Sequence, residues 1–170
     1  MKSWNMLTLV GEDRPGIVAR VTELLYHKKW HLGEASMLRL GGNFTIMMMV
    51  AGEGDLFAEL KPIAQQLKLR IHVDPIDGRL HQHLIPNIQV RVAGADRAGI
   101  VAQVTGTLAE AGFNILELES DVAGSSDNPV YIMNIQGFAE IPIETLQDEL
   151  APLIEQGIDV DVSAIEMMIG

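Results

Sequence analysis

The chain has 170 residues, 48% hydrophobic, 21% charged and only 5% aromatic, with no cysteine and a formal net charge of −11. That is an ordinary globular composition, long enough for two small domains; the absence of cysteine excludes disulfides, thiolate metal sites and cysteine nucleophiles together, and agrees with a cytoplasmic protein. Residues 1–83 carry ten Lys and Arg against nine Asp and Glu, whereas residues 84–170 carry two Arg and fourteen acids, which argues against direct binding to nucleic acid.

The acidic half could meet a basic protein partner or serve only as a solvated face. No run of eighteen apolar residues occurs, so no membrane span is expected, and the opening MKSWNMLTLVGEDRPG reads as a strand rather than a leader peptide.

Residues 4–10 form a short apolar run rich in strand formers. Asp13 and Pro15 then mark a helix start, with a carboxylate able to cap and a proline whose fixed φ suits a first turn. Ile17, Val21, Leu24 and Leu25 fall at i, i+4, i+7 and i+8, one buried stripe of that helix. Residues 32–40 and 44–50 flank Gly41-Gly42 as a hairpin, and the run Met47-Met48-Met49 suggests a strand covered on both faces. Leu56, Leu60, Ile63, Ala64 and Leu67 make a second helical stripe, and residues 70–73 close with a short strand. The order is βαββαβ. Pro75, Asp77-Gly78 and Pro86 place a linker at 75–86, between a domain at 1–74 and another at 87–170.

The second domain repeats the first. Gly11 to Thr22 read GEDRPGIVARVT and Gly94 to Thr105 read GADRAGIVAQVT, identical at nine of twelve positions. A signature recurring at half the chain length means two copies of one module. A strand at 88–92 leads to a helix striped by Ile100, Val104 and Leu108; strands at 114–122 and 130–135 form the hairpin. Leu146, Leu150, Leu153 and Ile154 stripe the second helix, and residues 158–165 form the last strand. The copies are offset by 83 at the signature and by 90 at Leu56 and Leu146; the seven extra residues are expected in a longer loop at 124–129 and in the segment 138–142. Pro62 and Pro152 should kink their helices or delay the regular start. Two helices on one face of a four-stranded antiparallel sheet is the ferredoxin-like α+β arrangement, expected here twice.

The repeated junction is the main candidate for function. A helix N-terminus presents free backbone N–H groups that can hold a carboxylate, while Asp13 or Asp96 beside it can accept from an ammonium group. That pairing suits a zwitterion, such as a free amino acid. The same residues also fit a purely structural role, with aspartate as the cap and glycine permitting close packing. Arg14 and Arg97 could pair with neighbouring acids or stand beside a ligand carboxylate.

These stretches resemble the signature of ACT domains, βαββαβ modules that bind amino acids and similar metabolites at domain interfaces. The likeness runs from DRPGIVARVTELL to Trp30-His31-Leu32 and from DRAGIVAQVTGTLAEAGFNI through Asn114-Ile115, and so covers nearly the whole chain. A chain of two such modules alone is similar to a group of transcriptional regulators of the glycine cleavage system. The resemblance implies ligand contacts at Asp13, Arg14, Pro15, Gly16 and Ile17, and at Asp96, Arg97, Ala98, Gly99, Ile100, Asn114 and Ile115. It implies a small amino acid as ligand, glycine or serine first, a transcription factor or other regulatory protein as partner, and a homo-oligomer favoured by exposed sheet edges. Two departures stand out: Ala98 replaces the family proline, and His31 stands where the second copy has Asn114, so the two sites need not be equivalent. A ligand-free interaction module, or a regulatory subunit of an amino-acid-metabolising enzyme, would carry the same modules.

His72, His81 and His83 lie close in sequence, but no acidic or cysteine partner is placed convincingly beside them, and neither a metal nor a cofactor is expected. No nucleophile with its base, paired-carboxylate cleft, P-loop or dinucleotide fingerprint is present, so the chain does not read as an enzyme.

Overall fold

The computed structural model describes residues 3–77, 84–95 and 99–166. Its contacts separate two compact units, Met1–Gln82 and His83–Gly170. The first contains β1 (Ser3–Glu12), α1 (Ile17–His27), β2 (His31–Leu40), β3 (Asn43–Gly52), α2 (Leu56–Leu67) and β4 (Arg70–Ile76). The second repeats that order as β5 (Ile88–Ala95), α3 (Ile100–Glu110), β6 (Asn114–Ser125), β7 (Asn128–Phe138), α4 (Ile143–Glu155) and β8 (Asp159–Ala164). Each unit is a four-stranded antiparallel sheet, ordered β2-β3-β1-β4 and β6-β7-β5-β8. This is the doubled α+β, ferredoxin-like fold expected from the repeat. β4 runs through Pro75 to Ile76; Pro75 sits in an edge strand, where its missing N–H matters least.

One core fills each unit because alternate strand residues meet the helical stripes. Leu7 and Leu9 of β1 and Phe44, Ile46, Met48 and Val50 of β3 pack against Ile17, Val21 and Leu25 of α1 and Leu56, Leu60, Ala64 and Leu67 of α2. Leu24 and Ile63, also expected on those stripes, are partly buried against the same cluster. In the second unit Val90, Val92, Met133 and Ile135 meet Val104, Leu108, Leu146 and Leu150. The Gly41-Gly42 turn has φ of 57° and 76°, the left-handed pair that a two-residue hairpin turn requires and that glycine adopts most readily.

Several local expectations are corrected. The second hairpin has no long loop at 124–129: β6 and β7 continue to a two-residue turn at Ser126-Asp127. The copies are offset by 83 at His31 and Asn114, by 85 at Gly41 and Ser126, and by 87 at Ala51 and Phe138. The insertions therefore lengthen both strands of the hairpin, whose last rungs pair Gly124 with Pro129 and Ser125 with Asn128, and the remaining three fall at the start of α4. Both helices run through their prolines, and α2 begins six positions before Pro62, so the proline delays nothing. The methionine run is buried on both faces only in part: Met48 is buried on the core face and Met49 on the open face, but Met47 is 46% exposed. Met49 is covered on the sheet's open face by Trp4, which lies over Gly33; a Cβ there would stand 3.0 Å from the indole.

The open faces of the two sheets differ. Cross-strand register puts Met6, Thr8, Val10, Leu38 and Met47 on the first. On the second, Arg91 stands opposite Asn134 and Asp161, in the same row as Glu119, with Glu117, Asp121 and Asp159 in the adjacent rows. Five of the fourteen acids of the second half are thus gathered on one sheet face.

Candidate functional site

The first junction begins where β1 ends. Gly11 lies under Leu69, and a Cβ there would stand 2.6 Å from the leucine's Cδ2, so the glycine lets the strand end pack against the residue before β4. The chain then leaves the sheet and turns at Pro15-Gly16. Gly16 is the N-cap of α1 at φ 86°, in open space: glycine is favoured there by its backbone conformation, not by crowding. Ile17 drops into the core at 4% exposure and anchors the helix start.

Asp13 does not cap α1, contrary to expectation. The helix starts at Ile17, Pro15 lies in the turn before the cap, and no side chain accepts from the first turn. The Asp13 backbone N–H instead donates to the Gly42 carbonyl at 3.0 Å, which ties the loop to the hairpin turn. Its carboxylate is taken by Arg39 of β2: Nε donates to Oδ2 at 2.7 Å, and Nη2 donates to the same oxygen. Arg14, expected to face either an acid or a ligand, donates through Nη2 to the carbonyl of Leu67, the last residue of α2. A guanidinium suits that place, since unsatisfied carbonyls and the negative end of the helix dipole lie there.

The site is therefore a loop held at three points: the turn at Gly42, Arg39 of β2, and the C-terminus of α2. What it leaves open is the start of α1, with no acidic residue in its first turn. Arg39, Gly42 and Leu67 are partners that the sequence alone did not point to. Their proximity follows from sheet order, which sets Arg39, Phe44 and Gly11 in one cross-strand row.

At the second junction Asp96, Arg97 and Ala98 lie outside the described residues. Gly99 repeats Gly16: it is the N-cap of α3 at φ 103°, in open space, and among the described residues no side chain caps the helix. Ile100 repeats Ile17 at 3% exposure. Asn114 and Ile115 occupy the first rungs of β6, opposite Phe138 and Gly137, just before a bulge. Ile115 packs against the second core and Asn114 is exposed. In the first copy His31 pairs with Ala51 and is likewise followed by a bulge.

Elsewhere, a shallow groove of about 210 Å³ lies between α4 and β8, lined by Gln147, Leu150, Ile154, Val160, Asp161 and Val162. It includes no residue of either junction. Among the described residues no three His, Asp or Glu side chains gather as a metal site. His72 pairs with Asp74 at 3.0 Å, while His81 and His83 lie outside the described residues. No described helix is long and apolar enough to cross a membrane.

Two family models, both described as ACT domain, match residues 6–74 and 88–151. A curated relative, UPF0237 protein YjhC of Lactococcus lactis subsp. lactis (strain IL1403), is 38% identical over 72 residues, which cover 40% of this chain and 83% of that protein. An unknown protein from Galdieria sulphuraria has a similar solved structure, with a TM-score of 0.74 at 23% identity, covering 98% of this chain and 100% of the other. The structure of a candidate glycine cleavage system transcriptional repressor superposes with a TM-score of 0.73 at 20% identity, covering 98% and 99% of the two chains. At these identities the structural likenesses establish the fold.

Proposed function

The chain belongs to the ACT domain family, with two domains in tandem, and from that premise we propose that it is a cytoplasmic, amino-acid-responsive regulator of transcription. In this reading a small amino acid, glycine or serine first, binds at the junctions before α1 and α3. Its carboxylate meets the first-turn N–H groups and its ammonium group faces Asp13 or Asp96. Binding shifts the packing of the modules or of paired chains, and a protein partner, a transcription factor, reads the altered surface. DNA is not contacted directly. Self-association is supported by β2, an edge strand exposed at every position but Glu34, with Leu38 and Leu40 66% and 82% exposed.

The observation that carries the reading is that both modules begin their first helix on a left-handed glycine, with no side-chain cap among the described residues. Aspartate directed to capping would have filled that position; here the helix start is left for another acceptor. A second reading, an interaction module without a ligand, is favoured at the first junction by the Arg39 ion pair that already occupies Asp13.

Calorimetry with glycine and serine, on the intact chain and on the Asp13→Ala, Asp96→Ala double variant, tests the proposal. Saturable binding that the double variant loses is expected. Binding of unchanged affinity in the double variant would remove these carboxylates from the site, and no heat from any small amino acid at millimolar concentration would favour the ligand-free module.

A further inference from the structure

We propose that the outer edge of β8, with the groove between it and α4, takes up an extended segment of a partner protein in which apolar and basic residues alternate. The inference goes beyond the amino-acid reading of the junctions and does not depend on it. β8 is an edge strand, and among the described residues no strand pairs with its outer side. The Ile165 N–H donates to the Asn87 carbonyl at 2.9 Å, and antiparallel pairing alternates from there. The N–H and C=O groups of Asp159, Asp161 and Ser163 therefore turn toward β5, and those of Val160, Val162 and Ala164 turn outward. The Val162 carbonyl accepts from Gln147 Nε2 at 3.5 Å, a long bond that the N–H of an added strand would replace.

An added strand presents its side chains alternately to the two faces of the sheet. On the helix side they meet the groove of about 210 Å³ lined by Leu150, Ile154, Val160 and Val162, with Ile154 50% exposed. On the other side they meet Asp159 and Asp161, in the face that gathers five acids around Arg91. Helix α4 adds four acids and no Lys or Arg. The segment that fits is apolar toward the groove and carries Lys or Arg toward the carboxylates. Charge decides against other occupants. A second copy pairing β8 with β8 would set Asp159 and Asp161 against carboxylates, and a phosphate backbone would be repelled. At the corresponding edge of the first unit β4 carries Arg70 and Pro75, a like charge and a missing N–H. β6, the other edge of the acidic sheet, has its register broken by a bulge between Ile115 and Glu117, which blunts it.

The test is fluorescence anisotropy on the full chain with a short labelled peptide of alternating lysine and valine. Its controls are a peptide of the same composition with lysines and valines in separate blocks, and one of alternating glutamate and valine. The alternating basic peptide is expected to bind about tenfold more tightly than the block control, and the acidic one not at all. Ala164→Pro removes an outward N–H and leaves the ladder to β5 in place, and should weaken binding about fivefold. The Asp159→Asn, Asp161→Asn double variant should weaken it about fivefold at low salt and less at high salt. Circular dichroism checks that each variant is folded, and the double asparagine variant keeps the test decisive if the proline is not tolerated. Backbone amide shifts on adding the basic peptide should gather at residues 147–154 and 159–164. Equal binding of the block control, or unchanged binding by folded Ala164→Pro, overturns strand addition. Unchanged binding by the double asparagine variant, shifts gathered at residues 117–122 of β6, or no binding of the basic peptide overturns the proposal outright, and none of these outcomes bears on the amino-acid reading.

Discussion

At the residue scale the two aspartates most easily taken for helix caps behave differently. Asp55 is the N-cap of α2 and accepts from the Ala58 N–H at 3.0 Å. Asp13 caps nothing and makes a part-exposed ion pair with Arg39. Asp55→Ala should therefore cost about 1 kcal/mol, the usual cost of losing a cap, while Asp13→Ala should cost about 0.5 kcal/mol, as exposed pairs do. Urea denaturation of both variants checks the ranking, and the reverse order would restore Asp13 as a cap. Gly16 and Gly99 hold φ of 86° and 103° in open space, so an alanine meets no clash but a disfavoured backbone. Each Gly→Ala change should cost about 1–2 kcal/mol, read as a lower unfolding midpoint of its own module.

At the element scale the sequence was most legible where apolar period and turn chemistry agreed. The stripe Ile17, Val21, Leu25 and the Gly41-Gly42 turn each have a local cause, so the pattern alone was enough to place them. The hairpin insertion was misplaced because Gly124, Ser125, Ser126, Asp127, Asn128 and Pro129 have loop composition. Their conformation is set by cross-strand pairing, a non-local effect that overrides composition. Arg39 was missed for a related reason: it meets Asp13 only because the sheet order puts β2, β3 and β1 side by side. The close approach at the hairpin base was also unseen. Gly52 lies under Trp30, and a Cβ would stand 2.2 Å from its Cε3; at Gly137 a Cβ would stand 2.3 Å from the Asn114 carbonyl oxygen and 2.4 Å from the Phe113 ring. A side chain can shift more easily than a ladder carbonyl. Gly137→Ala should destabilise its module by about 3 kcal/mol and Gly52→Ala by about 2 kcal/mol, within the range for overpacked cores; thermal unfolding of the two variants measures both.

At the scale of the whole molecule the repeat is structural but the charge is not. Both units share topology and a closed apolar core, yet the open face of one sheet bears methionine and leucine and the other carries carboxylates around Arg91. The opposite-charge neighbours of Arg91 should make it stabilising, so Arg91→Ala is expected to cost about 1 kcal/mol in the second module. That loss should shrink in high salt, since the face is exposed and screened; a loss unaffected by salt would mean that Arg91 acts through packing. Duplication with divergence of this kind keeps two similar helix starts and changes what surrounds them. It follows that a small ligand could meet the same backbone chemistry in two electrostatic settings.

The most direct test of that account is a titration of the intact, isotope-labelled chain with glycine and with serine, followed by backbone amide resonances. The account predicts saturable shifts concentrated at residues 13–19 and 96–103, the two starts of the first helices. Shifts confined to the groove between α4 and β8, or no shifts at millimolar ligand, would contradict it.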